Sequence, residues 1–383
     1  LSSKKAGRLD RSEGWRDSVR ECLAAWYDEH GRDLPWRGEG DPYRVLLSEM
    51  MLVQTTVAAV IPYFARFLER FPDVQSLASA PEADVLKSWE GLGYYRRARQ
   101  LHAAAKVIVE RHAGTIPADV DTVRALPGVG RYMAGAILSF AFDRPEPIVE
   151  ANTQRVLARL LGWTEDVRSS RSRERLWEAA GRLVPETGAG RFNQSLMDLG
   201  ATVCTPKAPA CLICPLAALC EARRQGIQDR LPVVAPKPAP LAVAEASILV
   251  ERSGELLVVR REESGLWAGF WEFPTLHLEG ANPAGRPAVA GPMDLADGVM
   301  QLTGVHVQVG PELRTLTYGV TKHRVLVRVH PARAVSGADR PRPGSGMTDA
   351  RWVAPADLTA LTLGSPARKL TRWILENPEK LGW

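Results

Sequence analysis

Four of the chain's five cysteines fall within 17 residues, spaced Cys204-x6-Cys211-x2-Cys214-x5-Cys220, and the fifth, Cys22, lies far from them. An odd total with this clustering argues against a secreted disulfide framework. It predicts a loop closed around one metal centre in a reducing compartment, holding either Zn²⁺ or an iron–sulfur cluster. The spacing leaves that choice open. The cluster also divides the chain, with 203 residues before it and 163 after it.

A chain of 383 residues can build two or three domains without covalent staples. Before the cysteines, apolar residues recur at helical spacing (Val45, Leu46, Met50, Val53, then Leu77, Leu86, Trp89), with Pro and Gly at the breaks. After them, residues 233–241 read VVAPKPAPL, an extended polyproline-like connector. Beyond it, 246–251, 255–260 and 324–330 have strand composition, and two helices are expected over 293–303 and 366–376. The expected organisation is a mainly α region over 13–225, including the metal loop at 204–220, then a Pro-rich linker over 226–240 and a smaller α/β domain over 241–383.

The longest apolar run, 133–142, is broken by Ser139 and is too short to cross a membrane. The polar first residues lack the apolar core of a secretory signal, so a cytoplasmic location is expected. A net charge of +5 permits a polyanionic partner without requiring one.

Three features carry chemistry. Leu126-Pro127-Gly128-Val129-Gly130 sits between two helical segments. Glycines there allow positive φ and close approach, and free N–H groups of the helix beginning near Arg131 can bind a phosphate. Glu49 lies in the apolar run Leu46-Leu47-Ser48-Glu49-Met50-Met51-Leu52. Buried there, it would be pushed toward its protonated form; on the polar face of an amphipathic helix it would do nothing. Glu150 precedes a helix, where N–H groups and the helix dipole favour the anion; a plain helix cap is the simpler reading. One acid and one anion together suit cleavage of a glycosidic bond.

The stretches LPWR (34–37), DPYRVLLSEMMLVQTTVAAVIPYF (41–64), GLGYYRRAR (91–99), LPGVGRYMAGAILSFAF (126–142), NTQRVLARLLG (152–162) and RFNQSLMDLGATVC (191–204), with the cysteine loop, resemble the MutY family of the endonuclease III, or helix-hairpin-helix, superfamily. SGLWAGFWEFP (264–274) is similar to the start of that family's Nudix-like C-terminal domain. The resemblance covers nearly the whole chain. It implies a helix-hairpin-helix glycosylase region with a structural [4Fe-4S] cluster on Cys204, Cys211, Cys214 and Cys220, and a Nudix-like domain that recognises 8-oxoguanine. It implies excision of adenine opposite 8-oxoguanine or guanine in double-stranded DNA by base excision repair, by a monomer associated with the nucleoid.

Carried over residue by residue, the resemblance assigns Glu49 as the general acid, Glu150 as the second catalytic carboxylate, and Tyr132 and Asn152 beside it. Arg32, Trp36 and Gln194 surround the flipped adenine. Gln54 and Tyr94 wedge into the duplex, and Gly128, Gly130 and Arg131 hold the backbone. Base flipping is required because the glycosidic bond is inaccessible in the stack. Tyr132 stands where bifunctional relatives carry a lysine, so a monofunctional enzyme is implied.

Several departures matter. The chain reads Glu150-Ala151-Asn152 where the family usually reads Asp-Gly-Asn, which lengthens the carboxylate's reach by ~1.5 Å. Val53 replaces the first Gln of the family's Met-Leu-Gln-Gln-Thr. The Phe-Ser-His loop facing 8-oxoguanine is matched most nearly by Val320-Thr321-Lys322, followed by His323. The acidic run of an active Nudix enzyme is missing, since 295–304 holds one acid, so recognition without pyrophosphate hydrolysis is expected. The alternatives are a lesion-binding protein weakened by Glu150, and a thymine-mismatch glycosylase.

Overall fold

The segment Arg131–Phe142 is apolar on all sides, and a helix of that kind must be enclosed by others. In a computed structural model that describes residues 11–381, apart from 39, 237–238, 290–294 and 336–339, it is the central helix of the first of two units. The units are 1–236 and 237–383.

The first unit runs α1 (Glu13–His30), α2 (Pro42–Leu52), α3 (Val57–Arg70), α4 (Val74–Ser79), α5 (Glu82–Ser88), α6 (Arg96–His112), α7 (Val120–Arg124), α8 (Arg131–Phe142), α9 (Ala151–Leu161), α10 (Ser170–Leu183), α11 (Ala189–Thr202) and α12 (Glu221–Arg224). The core helix α8 packs against α2 on one side and α11 on the other. A second apolar core joins α1, α9, α10 and α11 around Leu23, Leu157, Trp163 and Leu196. Gly135 of α8 is required by close approach: a Cβ there would stand 2.2 Å from the Pro147 carbonyl oxygen. That contact seats the segment leading into Glu150 directly on α8.

The stretch expected as a linker, 226–240, is tied to the helical unit as far as Ala235. Arg159 donates to the Gln228 and Leu231 carbonyls, each at 2.9 Å. Val167 N–H donates to Val233 O at 3.0 Å, and Arg168 to Ala235 O at 2.8 Å. The buried Arg159 of α9, with Val167 and the exposed Arg168 in the loop after it, thus captures backbone that lies outside the α-helices.

In the second unit, β1 (Leu241–Arg252), β2 (Glu255–Arg261), β3 (Trp271–Glu272), β4 (Thr275–Gly280), α13 (Leu295–Thr303), β5 (Val307–Val309), β6 (Arg314–Val320), β7 (His323–Ala334), β8 (Met347–Val353) and α14 (Ser365–Glu376) form one mixed sheet with helices on both faces. The strand order is β3-β2-β1-β7-β5, with β4 on β1, β6 on β7 and β8 on β2. The β1 and β7 strands pair in parallel from Leu241↔His323 to Glu251↔Arg333. Residues 293–294 of the expected helix 293–303 lie outside the described residues. The strands β3 to β6 and β8 were not expected; several are short or alternate weakly, and pairing rather than composition defines them.

Candidate active site

Asp41 caps α2 by accepting from Tyr43 N–H at 2.8 Å, and Pro42 starts the helix. The helix then buries every residue from Val45 to Met51. Glu49 is carried inside with them and is 4% exposed. This removes the reading of Glu49 as a residue on a solvated face. Burial is the main cause that pushes its carboxyl up to about 7. Tyr132 O–H donates to its Oε2 at 2.7 Å and Arg37 lies nearby; both pull it down, while Glu150 pushes it further up. Burial raises the Tyr132 phenol well above its ordinary range, so it remains a donor.

Glu150 is the N-cap of α9. Its Oε2 accepts from Asn152 N–H at 2.8 Å and its Oε1 from Thr153 N–H at 2.9 Å. Thr153 Oγ1 accepts in return from Glu150 N–H at 2.8 Å, closing a capping box. The longer side chain therefore folds back onto its own helix. Asn152 Oδ1 accepts from Arg155 at 2.9 Å, and the same guanidinium donates to the carbonyls of Gly200 and Cys204, each at 2.7 Å.

Glu49, Tyr132, Glu150 and Asn152 line one cavity of about 570 Å³, together with Arg32, Trp36, Gln54 and Gln194. That volume is ample for a nucleobase and its sugar. Arg37 and Asp198 complete its construction, and sequence reasoning missed both. Asp198 is fully buried and accepts from Arg32 N–H at 2.9 Å and from Arg37 Nη1 and Nη2 at 2.8 and 2.9 Å. Burial alone would raise its carboxyl, but the hydrogen bonds from Arg37 and Arg32 outweigh it and hold it below the usual range. Tyr27 O–H fixes Gln194 through Oε1 at 2.8 Å. The available signals were an acid inside the apolar run of α11 and the arginine that closes LPWR.

At the hairpin, only one of the two glycines fits the expectation. Gly128 has φ +79, and a Cβ there would come within 2.8 Å of Gln100 and Met50. Gly130 has φ −91 with ψ −179, which any residue adopts, and nothing in the protein lies near its Cβ position. Its freedom faces outward. The Arg131 side chain is already engaged, ion-paired with Glu174 at 3.0 Å and stacked over Trp177 at 4.2 Å. Its backbone N–H, at the start of α8, is the group left for an anion.

Gln54 (φ +60) and Tyr94 (φ +50) both occupy the left-handed region. For a residue other than glycine this costs on the order of 1–2 kcal/mol. Tyr94 is 59% exposed and Val53 is 40% exposed, and Gln54 is also exposed.

All four clustered cysteines line one small cavity with Arg159, which donates to Cys204 Sγ at 3.3 Å. Burial is the main cause raising the Cys214 thiol, to about 12. Among the described residues no three His, Cys, Asp or Glu side chains are gathered as a set that could hold a metal ion. The donor set of four thiols around one cavity fits an iron–sulfur group in kind, and the Arg159 contact supplies a positive partner for thiolate.

In the second unit, Thr321 and Lys322 form the two-residue turn between the paired residues Val320 and His323. Thr321 has φ +52, and its Oγ1 lies 3.1 Å from Nδ1 of His323. His323 is only 9% exposed. The expected trio is thus adjacent, but Thr321 and His323 already bond each other, and Thr321 and Lys322 are the exposed members.

Residues 47–182 match the family model described as HhH-GPD superfamily base excision DNA repair protein, and residues 246–373 match that of the NUDIX domain. The chain is 38% identical over 321 residues to a rat (Rattus norvegicus) protein named adenine DNA glycosylase, covering 70% of this chain and 62% of that protein. It therefore spans about three fifths of the length of the mammalian relatives it matches. The Buchnera aphidicola subsp. Schizaphis graminum protein of the same name is 37% identical, with 66% of this chain and 74% of the relative covered. A solved structure of a thermostable thymine-DNA glycosylase superposes with a TM-score of 0.52 at 30% identity, covering 55% of this chain and 98% of that one. With a relative of this identity covered over 74% of its own length, the chain belongs to the adenine DNA glycosylase (MutY) family.

Proposed function

We propose that this chain excises adenine mispaired with 8-oxoguanine or guanine from double-stranded DNA by acid-assisted hydrolysis. The observation that carries the reading is a buried carboxyl, raised to about 7, in a cavity of nucleoside size that also holds an N-capped carboxylate. Arg32, Trp36 and Gln194 seat the extruded adenine. Tyr132 occupies Oε2 of Glu49, leaving Oε1 to carry the proton delivered to adenine N7. The C1′–N9 bond breaks and its electron pair leaves with the base. The Glu150 carboxylate, held by two N–H groups, stabilises the oxocarbenium ion, with Asn152 beside it. Water adds at C1′ and loses a proton, which yields an abasic site.

The reaction stops there. Among the described residues no lysine lines the cavity, so none of them places an amine to form a Schiff base and drive strand cleavage. Backbone N–H groups following Gly128 and Gly130, starting at Arg131, hold a phosphate, and Gln54 and Tyr94 enter the duplex. Cys204, Cys211, Cys214 and Cys220 hold a [4Fe-4S] cluster, which when bound stiffens the 204–220 loop. Thr321, Lys322 and His323 read the base opposite adenine. No helix among the described residues is long and apolar enough to cross a membrane; the protein acts as a monomer on DNA in the cytoplasm.

Adenine release under single-turnover conditions from A:8-oxoguanine and A:G duplexes, with A:T and T:G as controls, tests this reading. Release confined to the first two supports it. Tight lesion binding without release makes this a binding protein limited by Glu150, and base release from T:G makes it a thymine-mismatch enzyme. Absorbance near 400 nm distinguishes the iron–sulfur cluster from zinc.

A further inference from the structure

Arg97, at the first turn of α6, is buried and has no carboxylate partner among the described residues. Its guanidinium is nonetheless crowded with acceptors from two separate loops. Nη1 donates to the carbonyls of Met50 (2.9 Å), Met51 (2.7 Å) and Val53 (2.6 Å), and Nη2 donates to Thr55 Oγ1 (3.1 Å). These groups belong to the end of α2 and to the turn that presents Gln54. Nη2 also donates to Gly93 O (3.2 Å) and Leu92 O (3.4 Å), in the loop that presents Tyr94. The Trp89 and Tyr94 rings flank the guanidinium, each centred 5.4 Å away.

We propose that Arg97 is the positioning residue that locks Gln54 and Tyr94 together as one wedge, so that it controls base extrusion rather than glycosidic chemistry. The inference rests on the reading of Gln54 and Tyr94 as the side chains that enter the duplex. Both residues stand in left-handed backbone, which persists only where surrounding bonds over-determine it. Arg97 supplies those bonds to both turns at once. Its charge also faces carbonyls at the C-terminal end of α2, where the helix leaves acceptors free and the dipole favours a cation. A planar fork can bridge two loops; lysine's ammonium, with its three donors on one nitrogen, cannot span them in the same way. The loops do not depend on it equally. Gly93 O also accepts from Trp89 Nε1 at 3.2 Å, so the Tyr94 loop keeps an anchor when Arg97 is changed. The Gln54 turn loses the four bonds named above.

The test compares Arg97→Lys, Thr55→Val, Gln54→Ala and Tyr94→Ala in the full chain. Extrusion is read from the fluorescence of 2-aminopurine placed as the target base opposite 8-oxoguanine. Chemistry is read from single-turnover excision of an adenine that is already unpaired, opposite an abasic-site analogue. Thermal unfolding reports stability. Arg97→Lys is expected to reduce extrusion by about tenfold or more, as the two wedge variants do, while excision of the unpaired adenine stays within about threefold of wild type. Thr55→Val, which removes one acceptor, is expected to give a smaller loss in the same direction, and it keeps the test decisive if Arg97→Lys folds poorly. Extrusion at the wild-type level in both Arg97→Lys and Thr55→Val, with Gln54→Ala and Tyr94→Ala impaired, overturns the role of Arg97 alone. Equal loss on paired and unpaired adenine also overturns it, as a purely structural effect. Wild-type extrusion in both wedge variants overturns the wedge reading itself, and the proposal with it.

Discussion

Both units bury carboxyl groups matched by arginine, Asp198 in the first and Glu245 and Glu272 in the second, but the first also buries one, Glu49, that no ion pair among the described residues matches. In the second unit, Glu245 and Glu272 face Arg286, which donates to Glu245 at 3.1 Å and to Glu272 at 2.5 and 2.9 Å. Arg261 adds a further contact to Glu272 at 3.4 Å and Tyr318 one to Glu245 at 3.2 Å. The cavity beside them is only about 30 Å³, room for roughly a water molecule. In the first unit, Glu49 receives a phenol and, among the described residues, has no salt bridge, beside a cavity of about 570 Å³. A buried acid matched by arginine stays charged and serves the fold. A buried acid left without one keeps its proton near neutrality and can give it away. On the proposed reading, the first unit uses its one unmatched acid for proton transfer, while the matched acids of both units serve the fold.

The largest expected effect comes from removing the unmatched acid. Glu49→Gln should lower single-turnover excision by about 10²–10⁴-fold. The same change should stabilise the protein at pH 8. Because burial raises the folded-state value to about 7 from 4.5, the native state binds the extra proton between those limits. Stability is therefore full below about pH 4.5 and is lost as pH rises through 7, by roughly 3 kcal/mol. Glutamine does not ionise, so denaturant unfolding at pH 8 should show the variant as the more stable protein.

The matched pair should behave in reverse. Arg286→Met leaves Glu245 with only the Tyr318 hydroxyl and Glu272 with only the longer Arg261 contact, and should destabilise the second unit by about 3–5 kcal/mol, measured by urea unfolding. Adenine release from the first unit's cavity should survive wherever the variant remains folded. A loss of release without a loss of stability would break the division between the units.

These contrasts were only partly legible in the sequence. The type of element around Glu49 was readable, because an uninterrupted apolar helix has few ways to avoid burial. The capping role of Glu150 was readable from the helix that follows it. The scaffold of the cavity around Glu49 was not, since Arg37, Asp198 and Tyr27 come from distant segments and meet only where α1 and the loop after it pack on α11. The matched network of the second unit was equally hidden, because Glu245, Glu272 and Arg286 lie on separate segments. The backbone at Gln54 and Tyr94 gave no signal either: neither residue type marks a left-handed turn, and the strain is held by Arg97 from elsewhere. At the hairpin the pair of glycines suggested two special conformations where the fold uses one.

Smaller effects sharpen the comparison. Tyr132→Phe removes the hydrogen bond that lowers Glu49, so the alkaline limb of the excision profile should move to higher pH. The rate below that limb should fall by about tenfold, in keeping with the loss of one hydrogen bond to a charged group. Thr321→Ala should be weaker still. It removes the hydroxyl bonded to His323, leaves the first unit untouched, and should change the preference for A:8-oxoguanine over A:G by only a few-fold, about the worth of a single neutral hydrogen bond.

The most direct test of the account is the pH dependence of single-turnover adenine excision from an A:8-oxoguanine duplex between pH 5 and 9. An acid that must be protonated, and that burial raises to about 7, predicts a rate that falls tenfold per unit on the alkaline side of neutrality, as titration of one group requires. The Glu49→Gln variant should show a low rate without that limb. A wild-type rate that stays flat or rises across neutrality, or a Glu49→Gln variant that keeps the same falling limb, would show that the buried carboxyl is not the proton donor.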